Sequence, residues 1–199
     1  MSRHPSRLAG LLALGLLLPG CPIPQALPDY PTTGAIAPPR LRSDLITPID
    51  TIIEVAPDCA AAPSFTLSAS AAYDDTTKPF EARWFVDYAP LGPNARDQSR
   101  EPIPAPDNGV DVIRPITPWV FHPYAYDPGA GAAAQQAFRD GGGLHVVELV
   151  VSNGFADDPG PPERPWRSPA PNFETQLQRW VFHYVPAGTP GASCGFPAP

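Results

Sequence analysis

The sequence predicts an all-β protein, an antiparallel β-sandwich with long proline-rich loops. Proline accounts for 31 of 199 residues, about three times the usual share of roughly 5%. Because proline lacks a backbone N–H and fixes φ, it breaks helices. Several short runs alternate apolar and polar side chains, which is the pattern of half-buried strands. Clusters of Pro, Gly, Asn and Asp separate these runs and indicate turns between about six strands.

The first two strands are predicted at residues 64–73 and 81–88. Over 64–73, apolar side chains alternate with serine and threonine, so one face is buried. Over 81–88, Trp84 belongs to the apolar face and Asp87 to the polar one. The turn-like sequence 74–79 separates the two runs, which predicts a hairpin or neighbouring antiparallel strands.

The middle of the chain is less regular. A long loop is expected over residues 89–115, which are rich in Pro, Asn, Asp and Gly. The aromatic run 119–126 predicts a strand, which Pro123 limits to an edge or a bulge. A short helical turn is expected within 129–138, where three alanines and two glutamines follow one another.

The last part of the chain predicts a central strand and a final strand. Residues 144–152 form the most β-branched run and are apolar on both faces, which suits the middle of a sheet. A second long loop with six prolines follows at 156–172. The final strand is predicted at 176–185, with Trp180 on its aromatic face.

The order of these features resembles bacterial Ig-like and PKD-type domains over about residues 50–186. An alternating strand precedes the strand that carries Trp84, and a Gly-rich approach leads to the strand that ends at Asn153-Gly154. In those families this strand often ends in Asp-x-x-Gly or Asp-Gly. The resemblance implies an immunoglobulin-type sandwich and carries almost no functional information. The alternative is a small barrel or a jelly roll.

The N-terminus has three distinct parts. Arg3 and Arg7 give it a basic start, and residues 8–18 are an unbroken run of Leu, Ala and Gly. This run is too short to cross a bilayer, which takes about 20 residues, and fits the apolar part of a secretion signal. The sequence Leu18-Pro19-Gly20-Cys21 follows and resembles the lipobox of bacterial lipoproteins, with Pro19 in place of the usual small residue.

The lipobox resemblance implies cleavage before Cys21, a diacylated Cys21 thiol and an acylated new amino group. Several acyl chains would make the anchor effectively permanent, since each buried CH₂ contributes about 0.8 kcal/mol. The alternative is an ordinary secretion signal with a chance cysteine. An Asp after the cysteine favours inner-membrane retention in Gram-negative lipoproteins. Pro22 stands here, so the resemblance implies an outer-membrane protein that is periplasmic or surface-exposed.

The cysteine count agrees with this hypothesis, since lipidation of Cys21 leaves Cys59 and Cys194. In an oxidising compartment these two are expected to form an internal disulfide; free thiols or a bond to another chain are the alternatives. The expected organisation is a signal peptide at 1–20, a lipidated cysteine and proline-rich tether at 21–50, an Ig-like domain at 51–186, and a C-terminal tail carrying Cys194 at 187–199.

The charge balance limits the partners. Residues 1–20 hold two of the 13 basic residues and no acidic one, so the remaining chain has 11 basic and 20 acidic groups and a net charge of −9. An acidic chain without a basic cluster disfavours nucleic acid and anionic membrane surfaces. The expected partners are the membrane, through the lipid anchor, and an envelope protein or glycan.

The sequence contains no motif for catalysis or cofactor binding. Gly-x-Ser-x-Gly, Gly-x-Gly-x-x-Gly and P-loop patterns are absent. His122, His145 and His183 lie far apart without metal-ligand spacing, so no metal site is expected. The acidic sequences at 74–75, 107–111 and 157–158 are attributed to turn chemistry rather than to calcium. We therefore expect no enzyme and no cofactor; the alternative is an exported hydrolase or metal-dependent enzyme whose loops build the site.

Tryptophans supply the one ligand-binding candidate. Trp84 and Trp180 are expected to fill the core. Trp166 lies in the second proline-rich loop between arginines. There it would either contact a partner or pin the loop to the domain.

Overall fold

A computed structural model of the chain describes residues 37–89, 97–156 and 167–196. These residues are mostly β, with two open sheets and one short helix. The strands and the helix are β1 Arg40–Leu41, β2 Ile52–Val55, β3 Ser64–Ala72, β4 Phe80–Val86, β5 Ser99–Ile103, β6 Ile113–Phe121, α1 Ala132–Asp140, β7 Leu144–Ser152, β8 Thr175–Tyr184 and β9 Gly195–Phe196. The predicted all-β class is confirmed.

The two sheets divide the strands unequally. The smaller sheet has the order β1-β3-β6, with β9 also paired to β3. The larger sheet has the order β2-β8-β7-β4-β5. Pairing is antiparallel except between β2 and β8 and between β3 and β9. The strand predicted to be central, β7, lies between β4 and β8, and its side chains are buried along most of its length.

The core lies between the sheets and is built from alternate side chains of their strands. Trp84 and Trp180 are 1% and 0% exposed, which confirms that they fill the core. Their rings stack with centroids 5.8 Å apart, and the Trp119 ring also stacks on Trp84, at 5.4 Å. Full burial of each large apolar side chain contributes about 1.5–3 kcal/mol, so this layer is a main source of stability.

The structure corrects the predicted pairing of the first two long strands. β3 and β4 do not form a hairpin, because β3 pairs with β1, β6 and β9, and β4 pairs with β5 and β7. The segment between them crosses from one sheet to the other. Alternation tells which face of a strand is buried, and both strands do bury one face in the common core. It does not tell which strand lies alongside.

The predicted loop at 89–115 contains a strand. β5, with the sequence Ser-Arg-Glu-Pro-Ile, pairs with β4 at the edge of the larger sheet. An edge strand tolerates Pro102 because the missing N–H is not needed on the open side. β6 begins at Ile113 and ends at Phe121, earlier than predicted, because Pro123 starts a 3₁₀ turn at Pro123–Ala125.

Cys59 and Cys194 form a disulfide, which confirms the predicted internal pair. The bond attaches the C-terminal segment to the sandwich. Beside it, Ser193 forms a parallel bridge with Val55 of β2, and β9 pairs with β3. β1 precedes and β9 follows the predicted domain range 51–186 along the chain, and both pair with β3 of the smaller sheet. The folded domain therefore extends past the predicted range at both ends. Over the described ranges, no helix has the length and apolarity needed to span a membrane.

Candidate functional site

The structure places only some of the residues selected from the sequence. Cys21 and Trp166 lie outside the described residues, as does the acidic pair at 157–158. The other acidic sequences act in turns. Asp75 accepts hydrogen bonds from the backbone N–H and the hydroxyl of Thr77, at 3.0 and 2.6 Å. Asn108 accepts hydrogen bonds from the backbone of Val110 and Asp111.

His145 and His183 lie in strands as predicted, whereas His122 lies just past the end of β6, and the three do not form one cluster. In the described parts of the chain, no cluster of three or more His, Cys, Asp or Glu side chains has the geometry to hold a metal ion. His145 differs from the other two because it is 1% exposed. It extends from β7 into the core beside the rings of Phe121, Phe138 and Tyr184.

Two aspartates hold the buried imidazole from opposite sides. His145 Nδ1 lies 2.7 Å from Asp87 Oδ2, and Nε2 lies 3.0 Å from Asp127 Oδ1. Asp87 follows the end of β4 with a left-handed φ of 47°, a conformation that Asp adopts more readily than most residues. Its other oxygen accepts a hydrogen bond from the backbone N–H of Val146 at 2.8 Å. The imidazole therefore links the end of β4 to the core.

Asp127 extends the network to the helix. Its fully buried carboxylate accepts hydrogen bonds from the Tyr184 hydroxyl at 2.9 Å and from Arg139 Nη1 at 2.5 Å. The Arg139 guanidinium also lies 4.1 Å from the centre of the Tyr124 ring. α1 has no fully buried residue of its own, and two contacts hold it against the sandwich: the ion pair between Arg139 and Asp127, and the packing of the Phe138 ring against His145 and Tyr184.

The electrostatics favour a charged imidazole. Burial alone lowers the pKa of His145, but the hydrogen bonds and negative charges of Asp87 and Asp127 outweigh burial, so the pKa is raised above its usual value. Burial and the neighbouring Asp127 carboxylate also raise the pKa of the Tyr184 hydroxyl, which stays neutral. With two carboxylates, an imidazolium and a guanidinium, the network is close to neutral overall.

This arrangement suits a structural link better than general acid–base chemistry. A catalytic base needs a free ring nitrogen within hydrogen-bond reach of a substrate or nucleophile. Both ring nitrogens of His145 face carboxylates, and a protonated ring donates to both. Sequence patterns do not single out Asp87 or Asp127 as site residues, because Asp87 reads as a polar residue at the end of a strand and Asp127 lies in a proline-containing turn. The only signal was a lone histidine in an apolar strand.

A second charged cluster lies on the outer face of the larger sheet, which is the face turned away from the smaller sheet. Glu148 of β7 is buried and accepts hydrogen bonds from Arg179, its cross-strand neighbour, at 2.6 and 3.0 Å. Arg167 also contacts its carboxylate, and the Arg167 guanidinium lies 4.5 Å from the centre of the Tyr88 ring. Arg167 thereby holds the described end of the second proline-rich loop, which begins at residue 167, against the sheet.

A shallow cleft of about 430 Å³ opens beside this cluster; we call it the outer-face cleft. Its lining residues are Asp87, Tyr88, Leu144, Val146, Glu148, Arg167, Arg179 and Val181. One side is therefore cationic and the other aliphatic. Ile52 lies next to Val181, which lies next to Val146, so the aliphatic side continues across three strands.

Comparison of the chain with protein-family models, with curated proteins and with solved structures finds no significant match.

Proposed function

We propose that this chain is a lipid-anchored lipoprotein of the cell envelope, with a β-sandwich that serves as a non-catalytic binding or structural module. The observation that carries the binding role is the outer-face cleft, where aliphatic side chains stay exposed beside a pair of arginines. Clustered apolar surface bordered by charged groups is typical of interaction sites.

An immunoglobulin-type sandwich is the proposed form of the module. In that fold the second and fifth strands, B and E, share one sheet, and strands C, F and G share the other. Here β3 and β6 share one sheet, and β4, β7 and β8 share the other, which supports the proposal. The buried Trp84 on β4 matches the tryptophan expected on strand C. The disulfide departs from the antibody pattern, because it joins the two terminal segments rather than strands B and F.

The anchor is proposed from the lipobox Leu18-Pro19-Gly20-Cys21. The proposed location is the outer membrane, because Pro22 rather than Asp follows the cysteine. The module would contact an envelope protein or a glycan. Its acidic charge argues against nucleic acid.

Metabolic labelling with radioactive palmitate tests the anchor directly. The full chain should take up label and sediment with the membranes, and Cys21→Ala should lose the label and keep the uncleaved leader. A matched Cys59→Ala variant should keep the label, because its thiol belongs to the disulfide. A chain that is cleaved, unlabelled and found in the soluble fraction would contradict the proposal.

Protease treatment of intact cells then tests the location. Loss of the protein from the membrane fraction places the module outside the cell, and survival places it in the periplasm. Separation of the inner from the outer membrane tests which of the two holds the protein. Recovery with the inner membrane would refute the proposed outer-membrane location.

A further inference from the structure

The connection between β5 and β6 carries exposed apolar side chains; we call residues 107–113 the acidic tip. All seven residues are exposed, and Val110 is 71% exposed. The tip contains two carboxylates, Asp107 and Asp111, and three aliphatic side chains.

The shape of the acidic tip is defined by its own hydrogen bonds. Asn108 accepts hydrogen bonds from two backbone N–H groups of the tip and donates one to Asp111 at 2.7 Å. The Val112 carbonyl accepts a hydrogen bond from the Tyr73 backbone N–H at 2.8 Å. The exposed valines are therefore presented on an ordered turn rather than on a loose chain.

The outer-face cleft has the complementary chemistry. Its two arginines share one glutamate, so the group carries one excess positive charge on a protein whose net charge is −7. The carboxylate of Asp87, which also lines the cleft, is held by His145. On the aliphatic side, Leu144 is 50% exposed. A ligand that carries a carboxylate next to branched aliphatic groups would match both sides of this cleft.

From this match we infer that the outer-face cleft binds the acidic tip of a second copy of the same chain. Asp107 and Asp111 would lie against Arg167 and Arg179, and Val110 would pack on the aliphatic side. This inference specifies the partner of the binding face in the proposed function. It does not depend on the lipid anchor.

The tip cannot reach the cleft of its own chain. The tip follows Ile103, which pairs with Phe80 at the start of β4, whereas Asp87 lies just past the other end of β4. At about 3.3 Å per residue, these ends are roughly 20 Å apart. The hydrogen bond from Tyr73 holds the tip at its own end.

A contact between two different surfaces is head-to-tail, so each bound copy still offers a free cleft and a free tip. Repetition of such a contact produces open chains unless the rotation closes a ring. On a membrane, a shared surface raises the effective concentration of the copies, so a weak contact suffices for an array.

Cysteine cross-linking between two tagged copies of the full chain tests the contact. One copy carries Val110→Cys and the other Leu144→Cys, and the cell fraction that contains the two tagged chains is treated with copper phenanthroline. We expect the mixed dimer to exceed by more than tenfold the control pair of Val110→Cys with Ala133→Cys, an exposed position on α1. Equal yields for the two pairs would overturn the inference. Self-linked Val110→Cys as the main product would do so too, because it indicates a symmetric contact.

A charge reversal separates a specific contact from crowding. Adding Asp107→Lys to the tip copy should reduce the cross-link at least fivefold, because lysine then faces the two arginines. Asp50→Lys, which makes the same charge change at another exposed site, should leave the yield unchanged. Equal loss in both variants would overturn the inference. If the membranes contain palmitate-labelled protein but no cross-link forms, self-association is rejected and the anchor is not. If the protein carries no label, the anchor is rejected.

Discussion

The substitution Asp127→Asn tests the buried network most directly. The Asp127 side chain is fully buried and accepts hydrogen bonds from His145, Arg139 and Tyr184. Asparagine keeps the shape but removes the charge, which leaves two buried cations near one carboxylate. Removing one partner of a buried ion pair costs about 3–5 kcal/mol. Because Asp87 still compensates His145, we expect the lower end, about 3 kcal/mol of unfolding free energy.

The same network predicts a pH dependence. Asp87 and Asp127 raise the pKa of His145 in the folded protein, above an unfolded value of about 6.5. The stabilisation is therefore complete below about pH 6.5 and is lost as the pH rises through the folded pKa. The free energy of unfolding should decline over this window. The decline should be smaller in Asp127→Asn, because one of the two carboxylates that raise the pKa is neutral.

Urea unfolding, followed by the fluorescence of the buried tryptophans at several pH values, measures both effects. Asp44→Asn is the matched control, because it makes the same change in an exposed pair with Arg42 and should leave the unfolding midpoint unchanged. If the two variants unfold alike, or if Asp127→Asn retains the full pH slope of the parent protein, the Asp127 charge does not stabilise the buried network.

Two further predictions concern the C-terminal segment. The double variant Cys59→Ala/Cys194→Ala removes a disulfide that joins residues 135 positions apart. For a loop of this length the chain-entropy model gives a loss of about 5 kcal/mol in the free energy of unfolding. Dithiothreitol should lower the urea midpoint of the parent protein but not of the variant; equal midpoints for the oxidised and reduced parent would count against this role. Gly195→Ala places a Cβ 2.3 Å from the carbonyl oxygen of Ser64 at a φ of +145° and should release β9. Hydrogen exchange at the Ser64 amide should then accelerate, whereas Gly188→Ala, also at positive φ but with open space around it, should leave that amide protected.

Local patterns identified most of the long strands. Alternation located β3, β4 and β8, and the doubly apolar run located β7 in the centre of its sheet. These predictions hold because the spacing of apolar residues along a strand shows whether one or both of its faces are buried. β5 was missed because it is short, charged and contains a proline, and only its pairing with β4 makes it a strand.

The candidate sites depended far less on local sequence. Asp87, Asp127 and His145 are separated by up to 58 residues, and Glu148 meets Arg167 through a loop. No spacing rule links such residues, because the fold alone brings the ends of β4, α1 and β7 together.

The sequence by itself determined the all-β class, the buried tryptophans and the expectation of a Cys59–Cys194 bond, because these follow from composition, periodicity and cysteine count. The tertiary structure alone decided which strands pair, that the first two long strands belong to different sheets, and that two aspartates enclose one histidine. The physical reason is that a side chain's burial is encoded by its neighbours along the chain, whereas its partner is selected by packing across the core.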